Sequence, residues 1–141
     1  MSGAINLISP TRDTVQPGFP AEWLQICRGG HNVLFEGPRV ATAAALDTLR
    51  PYLRNSVEWE QLRGGCELHA RPSSVLMVGD VASLRHDEQA RLLGLLSDDE
   101  HPRQVICSTT TSLFPLVARG LFDETLYYRL NVVMVRIRGR D

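Results

Sequence analysis

The sequence predicts an α/β domain in which a parallel sheet is covered by helices on both faces. Short apolar runs rich in valine, isoleucine, leucine and methionine are typical of strands buried on both sides. The segments between these runs carry apolar residues at helical spacing, so strands and helices alternate along the chain. With 141 residues, 43% hydrophobic content and a net charge of −1, the chain is long enough for one core and has an ordinary charge balance.

The prediction divides the chain into three parts. Residues 1–20 contain three prolines and few periodic apolar positions, so we expect an irregular lead-in over the domain surface. Residues 21–137 form the predicted α/β domain, and residues 138–141 form a short tail. No internal repeat or low-complexity tract is present.

The element boundaries are predicted from glycine, proline and capping residues. Thr42 is the predicted N-cap of the second helix, and Ser83 is the predicted cap of the helix after the buried strand. Asp87 and Glu88 then lie in that helix's first turn, near the positive end of its dipole. In chain order we predict helix 21–28, strand 32–36, helix 43–50, strand 56–59, strand 74–80, helix 84–96, strand 103–108, helix 113–119, helix 122–130 and strand 132–137.

The basic residues are all arginine, 15 in number, and the chain contains no lysine. Schiff-base chemistry and the phosphate-binding lysine of a P-loop are therefore excluded. We interpret this bias mainly as drift from lysine to arginine in a GC-rich genome, and the exclusion holds whatever its cause.

The cysteines and the apolar runs exclude further classes of protein. Cys27, Cys66 and Cys107 are far apart and odd in number, so we expect reduced and mostly buried thiols with no disulfide or metal role. No apolar run is long enough to span a bilayer, and the first residues lack the features of a signal peptide. We expect a cytoplasmic protein, without a membrane or a nucleic-acid partner.

The segment Gly120–Ile137 carries a family resemblance, above all in Leu126-Tyr127-Tyr128-Arg129-Leu130-Asn131-Val132. It resembles the AAA+ ATPase domain of bacterial enhancer-binding proteins, which activate RNA polymerase carrying the RpoN (sigma-54) factor. The resemblance extends from about Ile5 to Ile137 and implies a three-layer P-loop NTPase-like fold, the AAA+ α/β subdomain. The chain ends where the family begins its helical lid, so we expect the lid subdomain to be absent.

The resemblance places a P-loop at residues 37–44, but most of its functional positions differ. A working P-loop reads Gly-x-x-x-x-Gly-Lys-Ser/Thr, in which glycines let the backbone wrap the phosphates. Pro38 removes a backbone donor, Val40 replaces a further family glycine, and Arg39 could approach a phosphate but has a different geometry from lysine. The first glycine is Gly37, whereas the second glycine, lysine and hydroxyl positions hold Thr42, Ala43 and Ala44.

The remaining nucleotide-site positions are also altered. Gly79 stands at the magnesium aspartate and Asp80 at the water-activating glutamate, where it is either a strand-end cap or a general base. Thr110 stands at the sensor asparagine. Of the two arginine fingers, the first falls on Asp123 and the second on Arg129, which either acts as a finger or packs its stem and pairs with a nearby acid. We expect no catalytic residue and no metal site.

These substitutions predict a catalytically inactive sigma-54-activator-like domain that acts in transcription regulation through protein contacts. ATP and magnesium, expected for the family, are predicted to be unbound or weakly bound. The expected partner is an active AAA+ relative or the transcription machinery, and the expected state is a monomer or weak dimer. Residues 53–74 contain nothing like the Gly-Ala-Phe-Thr-Gly-Ala loop with which the family touches the sigma factor, and no DNA reader is visible.

Two alternatives remain open from the sequence. The chain is an excised central domain of a longer sigma-54-dependent response regulator, or it is a sensor that binds ATP without hydrolysing it. The second alternative would use Arg39, backbone amides and Arg129 to hold the nucleotide.

Overall fold

The computed structural model describes residues 5–8, 25, 28–53, 56–59, 75–97 and 104–137. None of the helices in these segments is long and apolar enough to cross a bilayer. The elements in the described residues are β1 Ile5–Ile8, β2 Val33–Glu36, α1 Arg39–Leu49, β3 Ser56–Glu58, β4 Val75–Val78, α2 His86–Leu96, β5 Gln104–Thr109, α3 Phe114–Ala118, α4 Glu124–Leu130 and β6 Val133–Arg136, with single 3₁₀ turns at Arg50–Tyr52 and Val81–Ser83.

The strands form a six-stranded sheet in the order β1-β6-β2-β5-β4-β3. Every neighbouring pair is parallel. Val33 in β2, for example, lies beside Ile106 in β5 and beside Val133 in β6. Since all strands point the same way, the carboxyl ends of β2, β5 and β4 lie side by side at one edge of the sheet.

Helices cover both faces of the sheet, and the strands alternate between the two cores. Val33 and Phe35 pack on the face covered by α1, whereas Leu34 between them packs on the opposite face. Members of the first core are Val33, Phe35, Ala45, Leu46, Leu49, Leu53, Val75, Met77, Ile106, Val133, Val135 and Ile137. The second core joins the sheet to α2, α4 and the residues around α3, with Leu34, Trp59, Leu76, Val78, Val81, Leu84, Leu92, Leu96, Val105, Cys107, Leu113, Phe122, Leu126, Leu130 and Met134. The predicted three-layer parallel architecture is confirmed.

The prediction of an irregular lead-in over residues 1–20 is wrong for residues 5–8. These residues form β1, which pairs with β6 and places Ile5 beside Val133. The prolines that follow at positions 10, 17 and 20 led to the irregular prediction, and β1 forms because the open edge of β6 has backbone groups to pair. The other residues of 1–20 lie outside the described part of the chain.

The predicted helix over 21–28 falls largely outside the described residues, where only Gln25 and Arg28 are helical. Its predicted end at Gly29-Gly30 is confirmed. The Gly29 N–H donates to the Gln25 carbonyl oxygen at 3.0 Å, and Gly30 has φ +86°. A left-handed glycine at this position is a common helix terminator.

Thr42 is not the N-cap of the helix after β2. Pro38, with φ −58° and ψ 149°, precedes the first helical residue, Arg39. Thr42 lies inside α1 and is buried; its N–H donates to the Pro38 carbonyl oxygen at 2.9 Å, and its Oγ1 donates to the Arg39 carbonyl oxygen at 3.2 Å. The helix begins early because proline fixes its own φ and the alanine-rich sequence after it favours a helix.

Ser83 is not the cap of α2. Its hydroxyl donates to the Asp80 carbonyl oxygen at 2.8 Å, and Arg85 occupies the N-cap position two residues later. The Glu88 carboxylate accepts the Arg85 N–H at 2.9 Å. The prediction that Asp87 and Glu88 lie in the first turn is confirmed. Glu88 thus accepts the backbone N–H of the N-cap residue Arg85, which is one half of a capping box.

Candidate functional site

The candidate site lies at the carboxyl edge of the sheet, where β2, β5 and β4 end next to one another. Ligands of open parallel α/β sheets bind in the crevice outside this edge. The segments that leave the three strands begin at Gly37, Thr110 and Gly79. The sequence-predicted residues at the exits of β2, β4 and β5 are therefore brought to the same edge.

The turn after β2 is held tightly against the rest of the domain. The Gly37 N–H donates to the Thr109 carbonyl oxygen at 3.1 Å. A Cβ at Gly37 would overlap the carbonyl oxygen of Ile137 and would lie 3.2 Å from the Ile137 Cβ. Gly37 is therefore required by close packing against the end of β6.

The predicted phosphate-binding loop is replaced by helix. Residues 39–44 belong to α1, and the only residues with positive φ in the described part of the chain are Gly30, Asp80 and Gly120. A phosphate-binding nest needs backbone N–H groups converging in turn or left-handed conformations. At the lysine position Ala43 is an exposed helical residue, and at the hydroxyl position Ala44 is partly buried.

Asp80 adopts a left-handed conformation with φ 53° and ψ 60°. Its N–H donates to Ser108 Oγ at 2.9 Å, and its carbonyl oxygen accepts the Ser83 hydroxyl. Its carboxylate Oδ2 lies 3.6 Å from Nη2 of Arg39. At the neighbouring Gly79, a Cβ would meet only Ser108 Oγ at 3.9 Å, so a side chain would fit there.

The end of β5 is closed by a hydrogen-bonded turn. The buried Thr109 donates its hydroxyl to the Thr111 carbonyl oxygen at 2.8 Å and accepts the Thr111 N–H at 3.3 Å. Thr110, at the predicted sensor position, is exposed. The threonine that sequence reasoning singled out is thus adjacent to the one that organises the turn.

Arg129 and Asp123 both have partners inside the chain. Arg129 Nη1 donates to the Leu96 carbonyl oxygen at 3.1 Å, at the carboxyl end of α2, where a positive charge is favourable to the helix dipole. Its structural contact is thus with a helix carbonyl rather than the acid that the sequence suggested. Asp123 is the N-cap of α4, and its Oδ1 accepts the Leu126 N–H at 2.8 Å.

Gln89 has a role that sequence reasoning missed. It is 2% exposed, and its Nε2 donates to the carbonyl oxygens of Leu84 and Leu121 at 3.0 and 3.2 Å. Its Oε1 accepts the Asp123 N–H at 2.8 Å. The signal in the sequence is a polar residue on the apolar face of α2, three positions before Leu92. Gln89 therefore joins α2 to the turn that leads into α4.

Metal ligation finds no support in the described residues, which contain no group of three or more histidine, cysteine, aspartate or glutamate side chains able to hold an ion. Cys107 is a free, buried thiol, and its burial raises the pKa of that thiol. Its Sγ lies 3.6 Å from the Val33 carbonyl oxygen. Cys27 and Cys66 lie outside the described residues.

The fold is P-loop NTPase-like, of the AAA+ α/β type. Its parallel sheet has helices on both faces, and the strand-turn-helix unit β2-α1 lies at the carboxyl edge of that sheet. A solved structure of NtrX from Brucella abortus in complex with ATP has the same fold, with a TM-score of 0.66 and 15% sequence identity. The match covers 93% of this chain and 37% of that one.

The sequence comparisons identify the family within this fold. Residues 66–139 match the profile of the Sigma-54 interaction domain, and the chain belongs to this family. It is 36% identical over 90 residues to the HTH-type transcriptional regulatory protein TyrR of Salmonella typhimurium, and 30% identical over 95 residues to the DNA-binding transcriptional regulator NtrC of Rhizobium meliloti. These matches cover 56% and 60% of this chain, but only 16% and 18% of the two relatives.

Proposed function

We propose that this chain is a sigma-54 interaction domain that acts in transcription regulation through protein contacts and does not hydrolyse ATP. The regulatory role follows from the family and from relatives that are themselves transcriptional regulators. The partner belongs to the transcription machinery or is an active AAA+ relative, and the chain by itself is a monomer or weak dimer. A stable hexamer in light scattering would contradict the last point.

The observation that carries the loss of activity is the start of α1 at Arg39. In a working P-loop, the backbone wraps the phosphates before the helix begins, and a lysine neutralises their charge. Here the wrapping residues are already helical, and the lysine position is Ala43. The turn therefore lacks the backbone geometry and the point charge with which a working P-loop binds triphosphate tightly.

Loss of the metal ligand supports the same proposal. Magnesium in nucleotide sites is held by one or two carboxylates together with the substrate phosphates. Gly79 has no side chain at the aspartate position, and the Asp80 carboxylate faces the Arg39 guanidinium at 3.6 Å. A cation near Asp80 would have to compete with a positive charge that the chain already carries.

The test is calorimetric titration of the full chain with ATP and magnesium, together with an assay of phosphate release. NtrX from Brucella abortus, whose solved structure contains ATP, serves as the binding control. We expect no saturable heat and no phosphate release above that of buffer. Micromolar binding with hydrolysis would overturn the proposal. Binding without hydrolysis that is lost in Arg39→Ala would favour the sensor alternative instead.

A further inference from the structure

The ion pair between Arg39 and Asp80 joins the exits of two strands that are not neighbours. β5 lies between β2 and β4 in the sheet, and Arg39 follows β2 whereas Asp80 follows β4. With adjacent strands about 4.8 Å apart, the two exits are separated by roughly 10 Å. The guanidinium and the carboxylate therefore meet across the end of β5, over the crevice in which ligands of this sheet type bind.

The position of the Asp80 carboxylate is set by its backbone. The Asp80 N–H donates to Ser108 Oγ, and the Asp80 carbonyl oxygen accepts the Ser83 hydroxyl. Its φ of 53° is one that aspartate tolerates better than most residues. Arg39, by contrast, is held only at the start of α1, and 78% of its side chain is exposed. Asp80 is thus the partner with the more constrained backbone, and Arg39 is the more exposed one.

We propose that the Arg39–Asp80 pair is an autoinhibitory contact across the crevice. The carboxylate engages the guanidinium that would otherwise attract an anionic ligand, and it repels such a ligand itself. The guanidinium in turn neutralises the carboxylate that would otherwise attract a cation. This inference rests on the proposed function, because it explains how the crevice stays without nucleotide once the P-loop geometry is gone.

The expected size of the effect follows from the exposure of the pair. An exposed ion pair changes a binding constant by up to about fivefold, because water screens both charges. Removing the carboxylate also removes its repulsion of the anion, which has a similar magnitude at this separation. Because the two effects multiply, we expect the affinity for a polyanion to increase by between about fivefold and 25-fold when Asp80 is neutralised.

The experiment measures binding of sodium tripolyphosphate to the full chain at low ionic strength without divalent metal. The variants are Asp80→Asn, which keeps the size of the side chain and tolerates positive φ, and the double variant Asp80→Asn with Arg39→Gln. Glu124→Gln is the matched control, because Glu124 is an exposed acid on α4 and its loss changes the net charge equally. Thermal unfolding checks that each variant is folded, and Asp80→Gly replaces Asp80→Asn if the latter is not.

We expect Asp80→Asn to bind tripolyphosphate at least fivefold more tightly than the wild type, and the double variant to lose that gain. Glu124→Gln should change the affinity by less than about twofold, as expected for an exposed, screened charge on a different helix. An affinity of Asp80→Asn no higher than that of Glu124→Gln would overturn the autoinhibitory contact. So would a gain that persists in the double variant. The proposed function fails on a different result, ATP hydrolysis by the wild type.

Discussion

Gly37 offers a direct test of why the first P-loop glycine persists in this chain. If it served nucleotide binding, Gly37→Ala would leave stability unchanged, because no ligand is needed for folding. The structure instead places the carbonyl oxygen of Ile137 where the new Cβ would lie, with the Ile137 Cβ and carbonyl carbon at 3.2 and 3.3 Å. The obstacle is mainly backbone, so it cannot move aside as a flexible side chain can.

The size of the effect can be estimated from this geometry. Overpacking of a well-packed site costs about 1–3 kcal/mol. The shift that relieves the overlap would also strain the hydrogen bond from the Ile137 N–H to the Glu36 carbonyl oxygen, 2.8 Å long, whose loss costs about 1 kcal/mol. Alanine also reduces the conformational entropy of the unfolded chain, which stabilises the folded state by about 0.5 kcal/mol. We expect Gly37→Ala to lower the free energy of unfolding by about 1.5–3.5 kcal/mol.

Urea unfolding monitored by circular dichroism measures this change, with two glycine variants as controls. A Cβ at Gly94, inside α2, would meet nothing within 4 Å, so Gly94→Ala should stabilise the chain by about 0.5–1 kcal/mol. A Cβ at Gly79 would lie in ordinary contact at 3.9 Å, and Gly79→Ala should be close to neutral. If Gly37→Ala is as stable as Gly79→Ala, the packing explanation for Gly37 is wrong.

Three further predictions concern contacts elsewhere in the domain. Arg129→Gln removes the donor to the Leu96 carbonyl oxygen and should lower the free energy of unfolding, measured in urea, by about 1 kcal/mol. The loss should be smaller at high salt, and an unchanged stability would show that this contact is not a structural role of Arg129. Asp123→Ala removes the N-cap of α4 and should lower the free energy of unfolding by about 1 kcal/mol, whereas Asp123→Asn should lower it by only a few tenths of a kcal/mol. Equal losses in the two variants would show that the N-cap hydrogen bond is not the cause. Burial raises the pKa of the Cys107 thiol above its ordinary value of 9.0, so the unfolded chain ionises first and stability should fall as pH rises above about 9. Urea midpoints at pH 8 and 10 test this, and the fall should be smaller in Cys107→Ala.

Most strands and the layer order were predictable because each strand is marked by its own short run of apolar residues. The apolar run at Val75–Val78 is buried at every position, as expected for a strand covered on both faces. β1 was not predicted, since the prolines at positions 10, 17 and 20 favour an irregular segment, whereas Ile5–Ile8 forms a strand by pairing with the edge of β6. A strand defined mainly by its partner leaves little signal in its own sequence.

The helix starts were predicted less well, because capping depends on the backbone and not only on residue type. Thr42 and Ser83 both have good N-cap side chains, yet neither stands at an N-cap. Pro38 starts α1 four residues before Thr42, and Glu88 satisfies the backbone of Arg85 in place of Ser83. The contacts of Gln89 were likewise beyond sequence reasoning, since its partners near Leu121 are remote in the chain.

The candidate site shows how a fold persists after its site residues change. Four of the residues predicted at nucleotide-site positions have an intrachain partner. Asp80 faces Arg39 across the crevice, Asp123 caps α4, and Arg129 donates to the end of α2 at Leu96. Arg39, Asp123 and Arg129 are exposed and Asp80 is partly exposed, so each of these contacts contributes about 1 kcal/mol or less to stability. None of these contacts needs a ligand, so if the proposed function is correct, restoring only the lysine or only the magnesium aspartate should not restore ATP binding.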